Sequence, residues 1–255
     1  MPSLGSLNLV YQMTRCAFLA HEKNSALGML WHLLNPVAMS LVLYVVFSNV
    51  GFFGEIEHYP IFILIGVINF NFFSQATSRA ADGMIHARSL ILNTTVPRET
   101  LVWRSVALDG LAYLIELSLV LLLAAFFANG LHWTSLYYVF VLFGMLMLTL
   151  GVSFLMAGTV VFLSDLTYVW GVATRMLFFA TPIFYGIDMV GSPWAGTFLS
   201  LNPLARLIEL ARKCLLVGQS PGLDELAMGM VGPFLVLVVG FWVFGRLKAQ
   251  IPDAI

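Results

Sequence analysis

Charge is scarce in this sequence. Lysine and arginine total 12 and aspartate and glutamate 13 in 255 residues, so 10% of the chain is charged and 60% is hydrophobic. A soluble domain carries about a quarter charged residues, so most of this surface has lipid for its solvent. The net charge of −1 argues against a nucleic-acid partner. Cysteine is scarcer still. Cys16 and Cys214 lie far apart in unlike contexts and are expected as idle thiols rather than a disulfide. No G-x-x-x-x-G-K-[ST] phosphate loop occurs, which excludes ATP binding of that kind by this chain. H-E-x-x-H and a Cys/His cluster are absent as well, so no metal site is expected. Gly151-Val152-Ser153 places a serine on a helix, but no histidine stands on the neighbouring spans, and an intramembrane hydrolase is disfavoured. The first twenty residues lack a continuous apolar core and a small-residue cleavage site, so no cleaved signal is expected.

What is abundant is the long apolar run. A helical crossing needs about 20 apolar residues, and six candidates occur near 29–53, 60–78, 100–128, 136–163, 167–186 and 227–247. The expected fold is all-α: one transmembrane domain over 1–255, with no room for a soluble domain. Six crossings put both termini on one side. That side collects Arg15, Lys23, Arg79, Arg88, Arg98, Arg104, Arg246 and Lys248, while Gly54–Tyr59 and Asn129–Ser135 contain no Lys or Arg. The bias of basic residues to the cytosol then makes both termini cytosolic.

Three connecting segments are unusual. In the outer segment 187–222, Leu204, Leu207, Ile208, Ala211 and Leu215 recur at helical spacing. Glu209 has Arg206, Arg212 and Lys213 three or four positions away, where ion pairs can form. Gly191-Ser192-Pro193 breaks the chain before it, and Gly218 and Pro221 break it after. A helical hairpin that dips in from the outer face is expected; a helix lying flat on the membrane is the alternative. The inner loop 79–99 mixes charge with an apolar patch of Met84, Ile85, Leu90, Ile91 and Leu92, either a docking surface or a patch that packs on the chain itself. Pro97 is expected to open span three, with Arg98 and Glu99 at the membrane edge. At the N-terminus, residues 5–23 set Leu7, Val10, Tyr11, Thr14 and Phe18 against Asn8, Gln12, Arg15 and Glu22, as an interfacial helix does.

Charges inside spans are costly and usually face a partner or a wet cavity. Asp109 and Glu116 lie seven apart on span three, and Arg175 lies on span five. At ~1.5 Å per residue, Asp109 and Arg175 reach similar depths, and an Asp109–Arg175 pair is expected. A proton relay would use the same residues but has no ladder of further acids or histidines. Aromatic residues make up 14%. Ile68-Asn69-Phe70-Asn71-Phe72-Phe73-Ser74-Gln75 interleaves rings with amides, and span five carries Tyr168, Trp170, Phe178, Phe179 and Tyr185. Such rings suit the apolar faces of sugars, but equally pack between helices. The pairs Asn35-Pro36 and Asn202-Pro203 superficially suit a water channel; the first, however, lies within span one, where it should kink the helix.

Along nearly its whole length the chain resembles the permease subunits of type-two ABC exporters, especially those moving lipid-linked polysaccharides such as O-antigen, capsule and teichoic acid. The resemblance is carried by Leu27-Gly28-Met29-Leu30-Trp31-His32-Leu33-Leu34-Asn35-Pro36, Tyr59-Pro60-Ile61-Phe62 and Asn71-Phe72-Phe73-Ser74. It continues through Val96-Pro97-Arg98-Glu99, Thr181-Pro182-Ile183-Phe184-Tyr185 and Leu201-Asn202-Pro203-Leu204 with Ile208-Glu209 and Arg212. It implies a homodimer in the bacterial cytoplasmic membrane with a channel between the copies. Two copies of a separate ATPase would bind ATP and magnesium, leaving this chain without cofactor or catalytic residues. The loop 79–99 would couple to that ATPase through Met84, Ile85, Arg88, Leu90, Ile91, Pro97 and Arg98. Residues 5–23 would form an inner gate. Asn202, Pro203, Arg206, Glu209 and Arg212 would belong to an outer gate. On this reading a charged lipid head is drawn by Arg15, Lys23 or Arg88, and the glycan passes Trp31, Tyr44, Phe70, Phe73, Tyr168, Phe178, Phe179 and Tyr185. A permease for a drug or small lipid shares these features, and a gradient-driven carrier is the more distant alternative.

Overall fold

The computed structural model describes residues 8–16, 30–48, 56–87, 96–127, 130, 132–163, 165–187, 196–197, 199 and 201–250. Among the described residues every regular element is a helix. These are α1 (8–16), α2 (Leu30–Ser48), α3 (Tyr59–His86), α4 (Glu99–Phe127), α5 (Tyr138–Thr159, entered by the 3-10 turn Trp133–Tyr137), α6 (Leu166–Ala180), α7 (Pro203–Arg212) and α8 (Leu223–Leu247). Five helical segments are long and apolar enough to cross a bilayer: α2, α3, α4, α5 with its 3-10 turn, and α8. The sixth, α6, has 15 residues and spans ~22 Å, less than the ~30 Å of hydrocarbon.

Two boundaries depart furthest from expectation. Span five was expected to continue to 186 but ends at Ala180. Pro182 pushes its predecessor out of the helical region, and Thr181 is accordingly extended (φ −104°, ψ 138°). Span two was expected to end at 78 yet stays helical to His86. Residues assigned to a cytosolic loop are therefore its last turns. Pro36, by contrast, sits inside α2 without ending it. α4 begins at Glu99, with Arg98 just before it, two residues later than the expected opening at Pro97. Pro97 precedes that helix and accepts the Thr100 amide proton at 2.9 Å.

α3 is the central post. Most of it is buried, whereas α2, α4 and α8 present most of their surface outward, and α2, α4, α5, α6 and α7 all pack against it. Its buried face runs Ile63, Ile65, Val67, Ile68, Phe72, Phe73 and Ala76.

α5 and α8 are joined differently. Gly144, Gly151 and Gly158 recur every seven residues on α5, and α8 lies across this stripe. A Cβ on Gly151 would stand 2.6 Å from the Val236 carbonyl, and one on Gly240 would overlap the Gly151 carbonyl. Lipid offers no hydrophobic drive between helices, so close backbone approach through small residues supplies the packing.

Arg98, Glu99 and Lys248 mark one end of the bundle, called here the lower end. There Lys248 Nζ donates to Glu99 Oε1 at 2.7 Å, and Arg98 Nη1 donates to the Lys248 carbonyl.

Candidate functional site

A helix that stops inside an apolar bundle leaves up to four carbonyls without partners, and lipid cannot supply donors. The break after α6 is met by side chains, most of them from distant elements. Tyr59 Oη, at the start of α3, donates to the Phe184 carbonyl at 2.8 Å. Tyr185 Oη donates to the Phe179 carbonyl at 3.2 Å. Asn202 Nδ2 donates to Thr181 Oγ1 at 3.2 Å, while its Oδ1 caps α7 by accepting the Leu204 amide at 3.0 Å.

Arg212 closes the arrangement. It is 2% exposed and donates from Nη1 to the Pro182 carbonyl at 2.7 Å, from Nη2 to the Ile183 carbonyl at 2.6 Å and from Nε to the Phe62 carbonyl at 3.3 Å. Its guanidinium lies 3.5 Å from the centroid of the Phe62 ring. Glu209 Oε2 accepts from Nη1 at 3.4 Å. Burial lowers the guanidinium pKa to about 10, opposed by Glu209, so it stays charged at neutral pH. Gly66 makes room for the clasp: a Cβ there would meet the Ile183 carbonyl oxygen at 2.8 Å and Arg212 Nη2 at 2.9 Å.

The apolar stripe expected on the outer helix is present and buried: Leu204, Leu207, Ile208, Ala211 and Leu215 are all 1% exposed or less. Beyond α7 the backbone widens into a π turn over Lys213–Val217 and stops at Gly218, whose φ of 67° suits glycine. Lys213 does not pair with Glu209. It reaches Glu225 on α8, at 2.7 Å to both carboxylate oxygens. Arg206, Glu209 and Lys213 border a shallow pocket that Glu225 closes. Pro203, in the first turn of α7, is approached closely by Gly232 on α8.

The expected Asp109–Arg175 pair does not form. Asp109 accepts instead from Arg79 Nε, at 3.1 Å to Oδ1 and 2.9 Å to Oδ2. The cause is the longer α3, which carries Arg79 into the bundle instead of leaving it in a loop. Asp109 and Glu116 are both buried on α4. Arg175 is exposed on α6 and makes no ion pair among the described residues.

The rings divide into two groups. Phe70 and Phe73 are buried and pack edge-on against α6, Phe70 to Phe178 at 5.1 Å and Phe73 to Trp170 at 6.2 Å. Trp170 also donates to Thr77 Oγ1 at 3.1 Å. Trp31, Tyr44, Tyr168 and Phe179 are exposed, on α2 and α6. Phe178 and Tyr185 are partly buried, and the ladder Phe178–Phe179–Phe184–Tyr185 links them. Phe47 of α2 stacks on Phe184 at 4.4 Å, so α2 packs on the segment just beyond the break.

Of the residues expected to couple to a partner, Met84 is fully buried, so its side chain serves the core, while Ile85 beside it is exposed. Pro97 and Arg98 stand at the lower end of α4. Arg88, Leu90 and Ile91 lie outside the described residues, as does Lys23. Arg15 is exposed on α1. The sequence reading missed the structural role of Tyr59. The only signal for Tyr59 was its place before Pro60 at a helix start.

A family model described as ABC-2 type transporter matches residues 8–216. The chain is 24% identical over 256 residues to the O-antigen export system permease protein RfbA of Klebsiella pneumoniae, covering 98% of this chain and 96% of that protein. A Myxococcus xanthus protein of the same name is 27% identical over 190 residues, covering 74% of this chain and 73% of its own. The polysialic acid transport protein KpsM of Escherichia coli is 27% identical over 217 residues, covering 79% and 80%.

Proposed function

The chain belongs to the ABC-2 type transporter family, and on that premise we propose that it is the membrane-spanning permease subunit of an ATP-driven exporter of a lipid-linked polysaccharide. The observation that carries this reading is the similarity to an O-antigen export permease along nearly the whole of both chains. Family membership and five apolar helices of crossing length make it a multi-pass membrane protein. The cytoplasmic membrane of a bacterium, with both termini in the cytosol, follows from the proposed role and from the basic residues at the lower end.

Two copies form the transport path in this proposal, with α2 and α6 facing each other across the seam. Support comes from their exposed rings and from Arg175. An arginine near mid-span is too costly to leave against lipid, and a wet seam between copies removes that cost. Trp31, Tyr44, Tyr168 and Phe179 then line the path, while Phe70 and Phe73 back it from within. The segment 187–222, which contains α7, forms a re-entrant outer gate just after the stop at Ala180. Residues 5–23 gate the inner side.

ATP is hydrolysed in a separate partner, two copies of a cytosolic ATPase that dock on the lower end at Ile85, Pro97 and Arg98 and at the neighbouring Arg88, Leu90 and Ile91. Because 79–86 is rigid helix continuous with the central post, a push at Ile85 travels along α3 to Tyr59 and the clasp at the far end. The test is purification of the complex from detergent with ATPase activity measured in the eluate. A co-purifying ATPase that is lost on Ile85→Asp supports the reading. A folded chain carrying export activity with no ATPase in the preparation would overturn it.

A further inference from the structure

Between the lower halves of α3 and α4 lies a cavity of about 430 Å³. Its α3 wall carries Gln75, Ser78, Arg79, Asp82 and His86, and its α4 wall carries Arg104. The α3 positions fall on one helical face. They form a polar stripe ~16 Å long at the lower end of a helix whose upper part is mostly apolar.

The depth of this stripe is specific. α4 has 29 residues and spans ~43 Å, the full bilayer thickness with its head groups. Arg104 lies five residues, ~8 Å, above Glu99, near the level where hydrocarbon gives way to head groups. His86 is the last residue of α3.

The donors in the cavity exceed their acceptors. Arg79 spends only its Nε on Asp109, leaving both Nη groups. Arg104 makes no hydrogen bond or ion pair among the described residues, and its Nε is buried without an acceptor. Arginine cannot escape by losing its proton, and an unmet buried charged donor is expensive. A phosphate supplies several oxyanion acceptors in the geometry that guanidinium groups match. Asp82, exposed on the same α3 face, offsets part of the positive charge, which favours a head group that also carries an ammonium.

We propose that this cavity holds the phosphate of a membrane lipid head group, bound by Arg104 and the free Nη groups of Arg79. It is separate from Arg15, and the inference does not depend on which cargo the chain exports.

The test is native mass spectrometry of the detergent-purified chain titrated with phosphatidylethanolamine. Wild type should hold one lipid tightly, and Arg104→Gln should weaken that binding about tenfold, as loss of one hydrogen bond to a charged group implies. Ser78→Phe, which fills the cavity without changing charge, should weaken it similarly and guards against a folding defect in the first variant. Arg246→Gln removes a cation that sits over Trp242 near the same end and should leave the tight lipid in place. Equal retention by wild type and both cavity variants would overturn the proposal, as would equal loss in Arg246→Gln. Displacement of the lipid by millimolar inorganic phosphate would also overturn it, marking a free-anion site instead.

Discussion

Arg212 reaches back 29 positions to donate its Nη2 proton to the Ile183 carbonyl at 2.6 Å, and so holds the broken end of α6 against α3. Lysine at 212 cannot reach Phe62, Pro182 and Ile183 together or lie flat on the Phe62 ring. Arg212→Lys should leave buried carbonyls bare at about 1–3 kcal/mol each and lower the melting temperature in detergent. A melting curve like that of wild type would mean that the other three side chains hold the break alone.

Gly66→Ala attacks the same clasp from the other side, because its Cβ would crowd both the Ile183 oxygen and Arg212 Nη2. A cost of about 1–3 kcal/mol is expected. Combined with Arg212→Lys, the loss should fall short of the sum, since both changes release one contact. Thermal unfolding of the single and double variants measures this coupling.

Asp109→Asn should be destabilising. It leaves Arg79, whose side chain is 40% exposed, opposite a neutral group, and loss of a hydrogen bond to a charged group costs about 1.5–3 kcal/mol. Adding Arg79→Gln should recover much of the loss, because two neutral amides can bond each other. Arg175→Gln should leave stability unchanged and act only on transport. Thermal stability of the four proteins, read beside export, separates these effects.

Met84 and Ile85 are neighbours with opposite surroundings. Met84→Ala should destabilise the subunit by about 2–5 kcal/mol, the range for emptying a core site. Ile85→Asp should leave the fold intact and abolish ATPase co-purification. Size-exclusion profiles alongside the ATPase assay distinguish the two.

The rings make a parallel contrast. Phe73→Ala should cost about 3–5 kcal/mol of stability, since Phe73 is buried beside Trp170. Tyr168→Ala and Phe179→Ala should fold normally and reduce export. If both exposed-ring variants export at the wild-type rate, the path does not run along α6.

Much of this arrangement was legible in the sequence, and the exceptions share a cause. The buried stripe from Leu204 to Leu215 followed from period alone. The partner of Asp109 was missed because Arg79 and Asp82 look like loop residues in a linear reading. In the fold, Gln75, Ser78, Arg79 and Asp82 share one face, and a polar stripe lets the helix run on. Arg212 was one of three cations placed within reach of Glu209, the acceptor visible at helical spacing, and that contact forms. Its stronger acceptors are carbonyls freed by a proline 30 positions upstream, which no local pattern connects to it.

The glycine stripe of α5 has a consequence for synthesis. α5 enters the membrane well before α8 has been translated, and during that interval Gly144, Gly151 and Gly158 present a furrow with no backbone to fill it. Leu207 of α7 fills the furrow at Gly144, but at Gly151 and Gly158 α8 closes it, so a chain made only as far as α7 carries an open seam there. The packing of α5 is therefore complete only once α8 stands beside it.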